Sequence, residues 1–205
     1  MKTKKLFAAT AFAMAALSAG AASATTVNFA GSNANLGSSY DFGDFTVSAS
    51  ASGILNYCGA SVTQSSAGLG VNGCPDTQEY DIDGFPLGSA EMLTFAFDSN
   101  VTLTGMTLGG IGSHDEYDYY IDGSYAGTAS NASWSGSLSL DSFSIAAVGD
   151  LFEGDGIFFF LAPYDAFTIT SISYEVTAVP LPAGGMLLLS GMGAFVALRR
   201  RKKAA

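Results

Sequence analysis

The sequence predicts an all-β fold, a β-sandwich of jelly-roll-like form, over residues 25–178. In many short stretches of this region apolar and polar residues alternate with period two, as they do in half-buried strands. Gly, Asp and Asn separate the stretches at turn positions, and we find no convincing amphipathic helical stretch between them. Many short strands with such turns favour two packed sheets, and the region is long enough to bury a substantial core.

The clearest alternation begins at Leu93. Leu93, Phe95 and Phe97 point to one face, and a turn is expected at residues 98–100. A second alternating stretch follows at residues 101–104, with Val and Leu on one face and Thr on the other. This pattern predicts two strands joined by a turn.

A hairpin and a buried strand are expected further along the chain. Asp122-Gly123 separates residues 117–121 from residues 124–128, and this dipeptide supplies the positive φ of a two-residue hairpin turn. Residues 157–161 are a continuous apolar run, which indicates a central strand covered on both faces.

Two stretches change the phase of their alternation part-way along. The change falls at Gly43 in residues 40–49 and near Ser171 in residues 167–176. A phase change inside a strand is typical of a β-bulge, so the sequence predicts a bulge at each position.

Charge is distributed very unevenly. All 18 Asp and Glu residues lie between Asp41 and Glu175, whereas no Lys or Arg occurs from residue 6 to residue 198. Nucleic acid is excluded as a partner, because its binding depends on Lys and Arg at the phosphates. Divalent cations or neutral sugars fit better, and the simplest interpretation is a surface acidified for solubility.

The first 24 residues have the pattern of a secretory signal peptide. Three lysines precede an apolar stretch at residues 6–17, and Ala22-Ser23-Ala24 is a small-x-small cleavage site. The mature chain is therefore expected to begin at Thr25, and a retained N-terminal membrane helix is the alternative.

The last 27 residues, 179–205, combine three features in order. A proline motif that cannot continue a strand comes first, because proline lacks an N–H. An uncharged segment follows at residues 184–198, somewhat shorter than the roughly 20 residues of a full membrane span. Five basic residues then predict a cytoplasmic end for a short membrane helix. The motif is Val179, Pro180, Leu181, Pro182 and Ala183, and the basic residues are Arg199, Arg200, Arg201, Lys202 and Lys203.

This order of proline motif, apolar segment and basic cluster resembles the sorting domain of the PEP-CTERM family in its VPLPA form. Leu181 stands where the common motif has Glu. The resemblance implies recognition by an exosortase-type membrane peptidase of a Gram-negative bacterium, often one that makes exopolysaccharide. It also implies that the inner membrane holds the tail until cleavage near residues 179–183. An ordinary single-span anchor is the alternative.

The central region shows a second, weaker resemblance. Residues 68–71, 82–84 and 91–95 follow the order seen in secreted β-sandwich domains that this family often carries. This likeness implies a fold and no activity. With a signal peptide at one end and a basic tail at the other, residues 25–178 are expected to be exported to the periplasm or cell surface.

Cys58 and Cys74 are the two cysteines of the chain. Since an exported domain meets an oxidising environment, we expect them to form a disulfide. Closing this loop would add about 3 kcal/mol in the chain-entropy model.

Two acidic clusters are candidate structural Ca²⁺ sites, because Ca²⁺ prefers oxygen ligands. The first places Glu79, Asp81 and Asp83 on one face if the segment is extended, and the second lies near the expected hairpin. Neither has the full EF-hand pattern, and solvated acidic loops are the alternative. The first cluster is Asp76, Glu79, Asp81 and Asp83, and the second is Asp115, Glu116, Asp118 and Asp122.

Aromatic residues near the hairpin are a candidate sugar-binding group. They could stack on sugar rings if exposed, and core or hairpin packing is the alternative. The residues are Trp134, Tyr117, Tyr119, Tyr120 and Tyr125.

Catalytic signals are weak. His114 is the single histidine, no Gly-x-Ser-x-Gly motif occurs, and no Lys or Arg in the domain could hold an oxyanion. A glycoside hydrolase needs only two carboxylates, so that activity stays open as an alternative. The sequence favours a non-enzymatic envelope or matrix protein linked to exopolysaccharide and biofilm, with a carbohydrate-binding module as the second hypothesis.

Overall fold

The computed structural model describes residues 24–52, 59–73, 79–85, 89–113, 115–148 and 165–177. In these residues the fold is all-β, as predicted, with antiparallel pairing throughout and no helix. The strands are β1 Ala24–Asn28, β2 Ala34–Gly37, β3 Ser39–Asp41, β4 Phe45–Ser52, β5 Ser61–Gln64, β6 Leu69–Asn72, β7 Ile82–Phe85, β8 Ser89–Gly109, β9 Tyr117–Ile121, β10 Ser124–Ala129, β11 Ser133–Ala147 and β12 Ala166–Val176.

Two long strands, β8 and β11, organise the fold. The first part of β8 pairs with β4 on one side and with the second part of β11 on the other. Its second part pairs with β12 and with the first part of β11. β9 and β10 extend the first group of strands beside β11, whereas β1 and β6 pair with β12 in the second group. The two groups are therefore joined by continuous strands.

The turn expected at residues 98–100 is not formed, and this prediction was wrong. β8 continues through these residues, while its pairing with β11 shifts from Val101–Leu140 to Ala96–Ser142. The extra residues make an irregularity in the ladder, and the side chain of Asn100 donates to Asp141 Oδ1 at 3.2 Å. Residues 98–100, which resemble a turn in sequence, thus lie within β8, where the strand passes from pairing with β4 to pairing with β12 without reversing.

The core follows the alternation of the strands. Leu93, Phe95 and Phe97 are buried on one face of β8, as expected. Aromatic rings dominate this region: Phe45 lies edge-on to Tyr174 with ring centroids 5.9 Å apart, and such pairs add roughly 0.5–1.5 kcal/mol beyond area burial.

The hairpin and one of the two predicted bulges are confirmed. Asp122 and Gly123 have φ values of 49° and 74°, which are the left-handed conformations that a two-residue hairpin turn requires. In β12 the register shifts between Ile169 and Ser171, so Ile169 and Ile172 are both buried although three positions separate them.

The phase change at Gly43 has a different cause from the predicted bulge. β3 and β4 are separate strands that pair Tyr40 with Val47, so the chain reverses between them. Gly43 has φ 96° in the turn, and its N–H donates to Asp41 Oδ1 at 2.7 Å. The reversal explains the change of phase, because each strand starts its own alternation.

Several predictions lie outside the described residues: the signal peptide, the strand at residues 157–161, Cys58, Cys74, His114, Asp76 and the sorting segment at residues 179–205. In the part of the chain that the structure describes, no helix has the length and apolar character needed to span a membrane. Ser23–Thr177 form a compact unit by themselves.

Candidate functional site

An aromatic cleft of about 250 Å³ lies between the β9–β10 hairpin and the first part of β11. β9 pairs with β11 only over residues 143–147, whereas the first part of β11 pairs with β8. We call this space the aromatic cleft. Its lining residues are Leu103, Met106, Tyr117, Tyr119, Ala129, Asn131, Trp134, Leu138 and Phe143.

Strand geometry explains why three of the predicted aromatic residues meet here. Tyr117 and Tyr119 are two positions apart on β9, so they point to the same face. Trp134 reaches the cleft from β11, where it lies opposite Met106 of β8. Tyr117 is buried, whereas Tyr119 and Trp134 are half-buried and accessible to a ligand.

Two glycines leave room for the aromatic rings of the cleft. A Cβ at Gly136 would lie 2.4 Å from Trp134 Cζ2, so the indole packs directly on the glycine backbone. Gly127 has φ 155°, and a Cβ there would lie 3.0 Å from the Tyr119 hydroxyl oxygen. Both rings therefore use the space that a larger side chain would fill.

The polar atoms of the cleft differ in their partners. The Tyr117 hydroxyl donates to Asn131, at 3.2 Å from Oδ1 and 3.3 Å from the backbone oxygen. Burial, and secondarily the proximity of Tyr119, raise the pKa of Tyr117 above its ordinary value, so the phenol stays neutral. Within the described residues the Tyr119 hydroxyl and the Trp134 indole N–H make no hydrogen bond, which leaves both as donors for a ligand.

Tyr120 and Tyr125 do not join the cleft. They pack edge-on with ring centroids 5.7 Å apart. Tyr120 lines a separate, shallower depression of about 350 Å³ with small residues of β4, β8 and β11, and Tyr125 is 60% exposed. The predicted aromatic group is thus divided between two faces.

The first acidic cluster is not arranged as a cation site in the described residues. Glu79 is exposed, Asp81 is half-buried and Asp83 is buried, and only Asp83 lies in a strand. Burial raises the pKa of Asp81 above its ordinary value. Asp83 donates its backbone N–H to Oε2 of buried Glu91 at 3.0 Å.

Three residues of the second acidic cluster accept hydrogen bonds from a loop or from neighbouring strands. Asp115 Oδ2 accepts the Gly112 N–H at 2.6 Å, and Asp118 Oδ1 accepts the Thr128 hydroxyl at 2.5 Å. Asp122 Oδ1 accepts two backbone N–H groups of β11, at 2.8 and 2.9 Å. Among the described residues no three His, Cys, Asp or Glu side chains are grouped to hold a metal ion. The calcium hypothesis remains a prediction, since Asp76 lies outside these residues.

The apolar floor of the cleft and the glycines under its rings were not predicted from the sequence. Leu103, Met106 and Phe143 carry only an ordinary strand pattern, and pairing between distant segments brings them together. One local signal was present: Gly136 lies two positions after Trp134, on the same face of the strand, where it leaves room for the indole.

Comparisons with known proteins give no identification: no protein-family model matches the chain, and a search of curated proteins finds no significant match.

Proposed function

We propose that the chain is an exported surface or matrix protein whose β domain binds carbohydrate without catalysing a reaction. The observation that carries the binding function is the convergence of Tyr117, Tyr119 and Trp134 on one cleft. Half-buried aromatic rings such as Tyr119 and Trp134, with nearby hydrogen-bond donors, suit sugar rings, which present C–H groups on their faces and hydroxyls at their edges.

The proposal includes export and sorting. Its support is the confinement of Lys and Arg to the two ends of the chain, in the order expected of a signal peptide and a VPLPA-type tail. An exosortase-type peptidase would act near residues 179–183, after transient anchoring in the inner membrane. The cleft would then be displayed near exopolysaccharide, in a structural or adhesive role.

We also propose that the two groups of strands form a β-sandwich of jelly-roll-like form. The continuous strands β8 and β11 support this proposal, since they serve both groups and bury apolar side chains between them.

The chemistry of the cleft favours binding over hydrolysis. Its described lining contains no Asp, Glu, His, Lys or Arg, whereas glycoside hydrolysis requires a pair of carboxyl groups beside the scissile bond. The cleft offers apolar area and hydroxyl, amide and indole groups, which orient a ligand without activating it.

Glycan-array binding by the purified full-length chain tests the proposal. The protein is kept in a polyoxyethylene detergent, because sugar-headed detergents would compete. Trp134→Ala should reduce binding by at least about tenfold, since it removes the ring with the largest face. Tyr125→Ala removes an exposed ring outside the cleft and should leave binding unchanged. Equal loss in both variants, or no glycan bound, would contradict the binding function.

Two further assays test the remaining parts. Replacing residues 179–182 of the motif by alanines should leave the protein in the inner-membrane fraction, whereas the unaltered protein reaches the surface or medium. Sugar release from a bound polysaccharide would refute the non-enzymatic function.

A further inference from the structure

We infer that the ligand of the aromatic cleft is cationic, a hexosamine oligosaccharide with free amino groups; this rests on the proposed carbohydrate function. Three observations support this ligand: the aromatic faces of the cleft, the charge of the domain around it and the acidic residues that adjoin Tyr117.

Aromatic faces attract cations, because the ring quadrupole places negative potential above each face. The attraction is strongest for Trp and next for Tyr, within about 6 Å of the ring centroid. Trp134 and Tyr119 line the cleft and are half-buried. The accessible part of each ring is therefore available to a ligand in the cleft. In most domains Lys or Arg side chains can occupy such faces, but this region has neither from residue 6 to residue 198.

The negative charge of the domain favours cationic sugars over neutral and anionic ones. All 18 carboxyl side chains of the chain lie in the same region, and their summed potential is negative around any ligand. A uronic or sulfated sugar is repelled, and a neutral sugar gains nothing from this potential. An amino sugar with protonated amines is attracted both by the potential and by the ring faces.

Two acidic residues also adjoin a lining residue of the cleft. Glu116 directly precedes Tyr117, so their Cα atoms are about 3.8 Å apart. Asp165 is held at the same point, since its Oδ1 accepts the Glu116 N–H at 3.2 Å. Both carboxylates therefore belong to chain segments that adjoin Tyr117, a lining residue of the cleft. In the proposed complex the amines of the oligosaccharide lie on the side of the cleft that Tyr117 lines.

The test compares sugars of identical length and linkage. The probes are a β-1,4-linked glucosamine hexamer, its fully N-acetylated counterpart and an oligogalacturonate. Binding to the full-length chain is measured by calorimetry near pH 6, above the ordinary carboxylate pKa values of about 4. We expect the glucosamine hexamer to bind at least about tenfold more tightly than the N-acetylated hexamer, and the oligogalacturonate not to bind.

Salt and substitutions then separate the contributions. Raising NaCl from about 50 to 500 mM should weaken glucosamine binding about fivefold and leave the N-acetylated hexamer unaffected, because only the first depends on charge. Trp134→Phe keeps an apolar ring and should weaken glucosamine binding less than Trp134→Ala. Glu116→Gln should weaken the glucosamine hexamer alone.

Asp41→Asn is the matched control for the charge change. Asp41 is exposed and lies on β3, which is separated from β9 by β4, β8 and β11 in the order of pairing. Asp41→Asn should leave glucosamine binding unchanged, because Asp41 neither lines the cleft nor adjoins Tyr117.

The outcomes distinguish the two proposals. Equal affinity for the glucosamine and N-acetylated hexamers, both lost in Trp134→Ala, overturns the cationic ligand and keeps the sugar-binding function. No binding of any oligosaccharide overturns both. A lysine hexamer that binds as tightly as the glucosamine hexamer, with the same dependence on Trp134, overturns the assignment to a sugar.

Discussion

The aromatic and the acidic residues around β7–β11 were both candidate sites, and the described residues of the two groups are arranged differently. Tyr117, Tyr119 and Trp134 share one cleft, whereas Asp81 and Asp83 differ in burial, and no three acidic side chains are grouped for a cation among the described residues. The physical reason is that rings gain free energy by packing together, while carboxylates without a cation repel one another. Each of Asp115, Asp118 and Asp122 instead accepts a hydrogen bond from a neighbouring turn or strand. Proximity in sequence thus brought aromatic side chains onto one cleft, whereas these three carboxylates have separate hydrogen-bond partners.

The largest effect is expected from removing a buried carboxylate, which would show that this acid is structural. Glu91→Ala leaves the buried N–H of Asp83 without its acceptor and opens space beside Gly73, whose backbone packs on Glu91 Oε1. We expect a loss of roughly 2–3 kcal/mol, or about 5–10 °C in the thermal midpoint. Glu91→Gln retains an acceptor oxygen and should lose less than half as much. Equal midpoints for Glu91→Ala and the unaltered protein would refute a structural role.

A change on the aromatic side should alter binding more than stability. Gly136→Ala places a Cβ against the Trp134 indole, which must rotate away from its position in the cleft. We expect about tenfold weaker glycan binding and a change in unfolding free energy below about 1 kcal/mol. Ser135→Ala, at the exposed neighbouring position, is the control and should change neither quantity. Unchanged glycan binding in Gly136→Ala would mean that the indole position does not matter.

Tyr174 provides a structural tyrosine for comparison with the tyrosines of the cleft. Burial, together with the hydrogen bond to Asp44 Oδ2 at 2.8 Å and the charge of Asp44, raises the pKa of Tyr174 to about 12. Because the folded pKa exceeds the ordinary value of 10.0, its contribution to stability is fully present below pH 10 and is lost as the pH rises through about 12. Tyr174→Phe should cost about 1 kcal/mol at neutral pH and reduce the loss of stability between these pH values. Chemical denaturation at several alkaline pH values measures both effects, and an unchanged alkaline dependence would contradict this account.

Features of the fold that depend on interactions within a few residues were predicted correctly more often than features that depend on strand pairing. Local rules identified the all-β class, the Asp122-Gly123 hairpin and the bulge near Ser171, because turn chemistry and period-two alternation act within a few residues. They failed at residues 98–100, where a polar triplet continues a strand, and at Gly43, where a reversal resembled a bulge. At residues 98–100 the outcome depends on pairing with the distant strands β11 and β12, whereas at Gly43 a local reversal and a bulge give the same change of phase in the sequence.

The candidate site was predictable in composition but not in assembly. The sequence identified Trp134 and the hairpin tyrosines as a group. It did not show that Tyr117 and Tyr119 would line the cleft with Trp134 while Tyr120 and Tyr125 lie outside it, because that depends on how β9 and β11 pair. The floor residues Leu103 and Met106 come from β8, which the sequence does not connect to the hairpin.

The smallest expected effect concerns Asp81, a half-buried member of the acidic region. Since burial raises its pKa, the folded state binds the proton more tightly than the unfolded state does. Its contribution therefore favours folding below the ordinary value of 3.8 and is lost as the pH rises through the folded pKa. At neutral pH the ionised group opposes folding, so Asp81→Asn should stabilise the protein by less than about 1 kcal/mol, with solvent screening limiting the gain. Thermal melts at pH 7 and below pH 4 measure the difference, and Glu79→Gln, at an exposed position, is the control. If Asp81→Asn instead destabilised the protein at pH 7 while Glu79→Gln did not, the ionised carboxylate would have a favourable partner. The acidic region, like the aromatic cleft, would then contain side chains that are positioned to interact with a common partner.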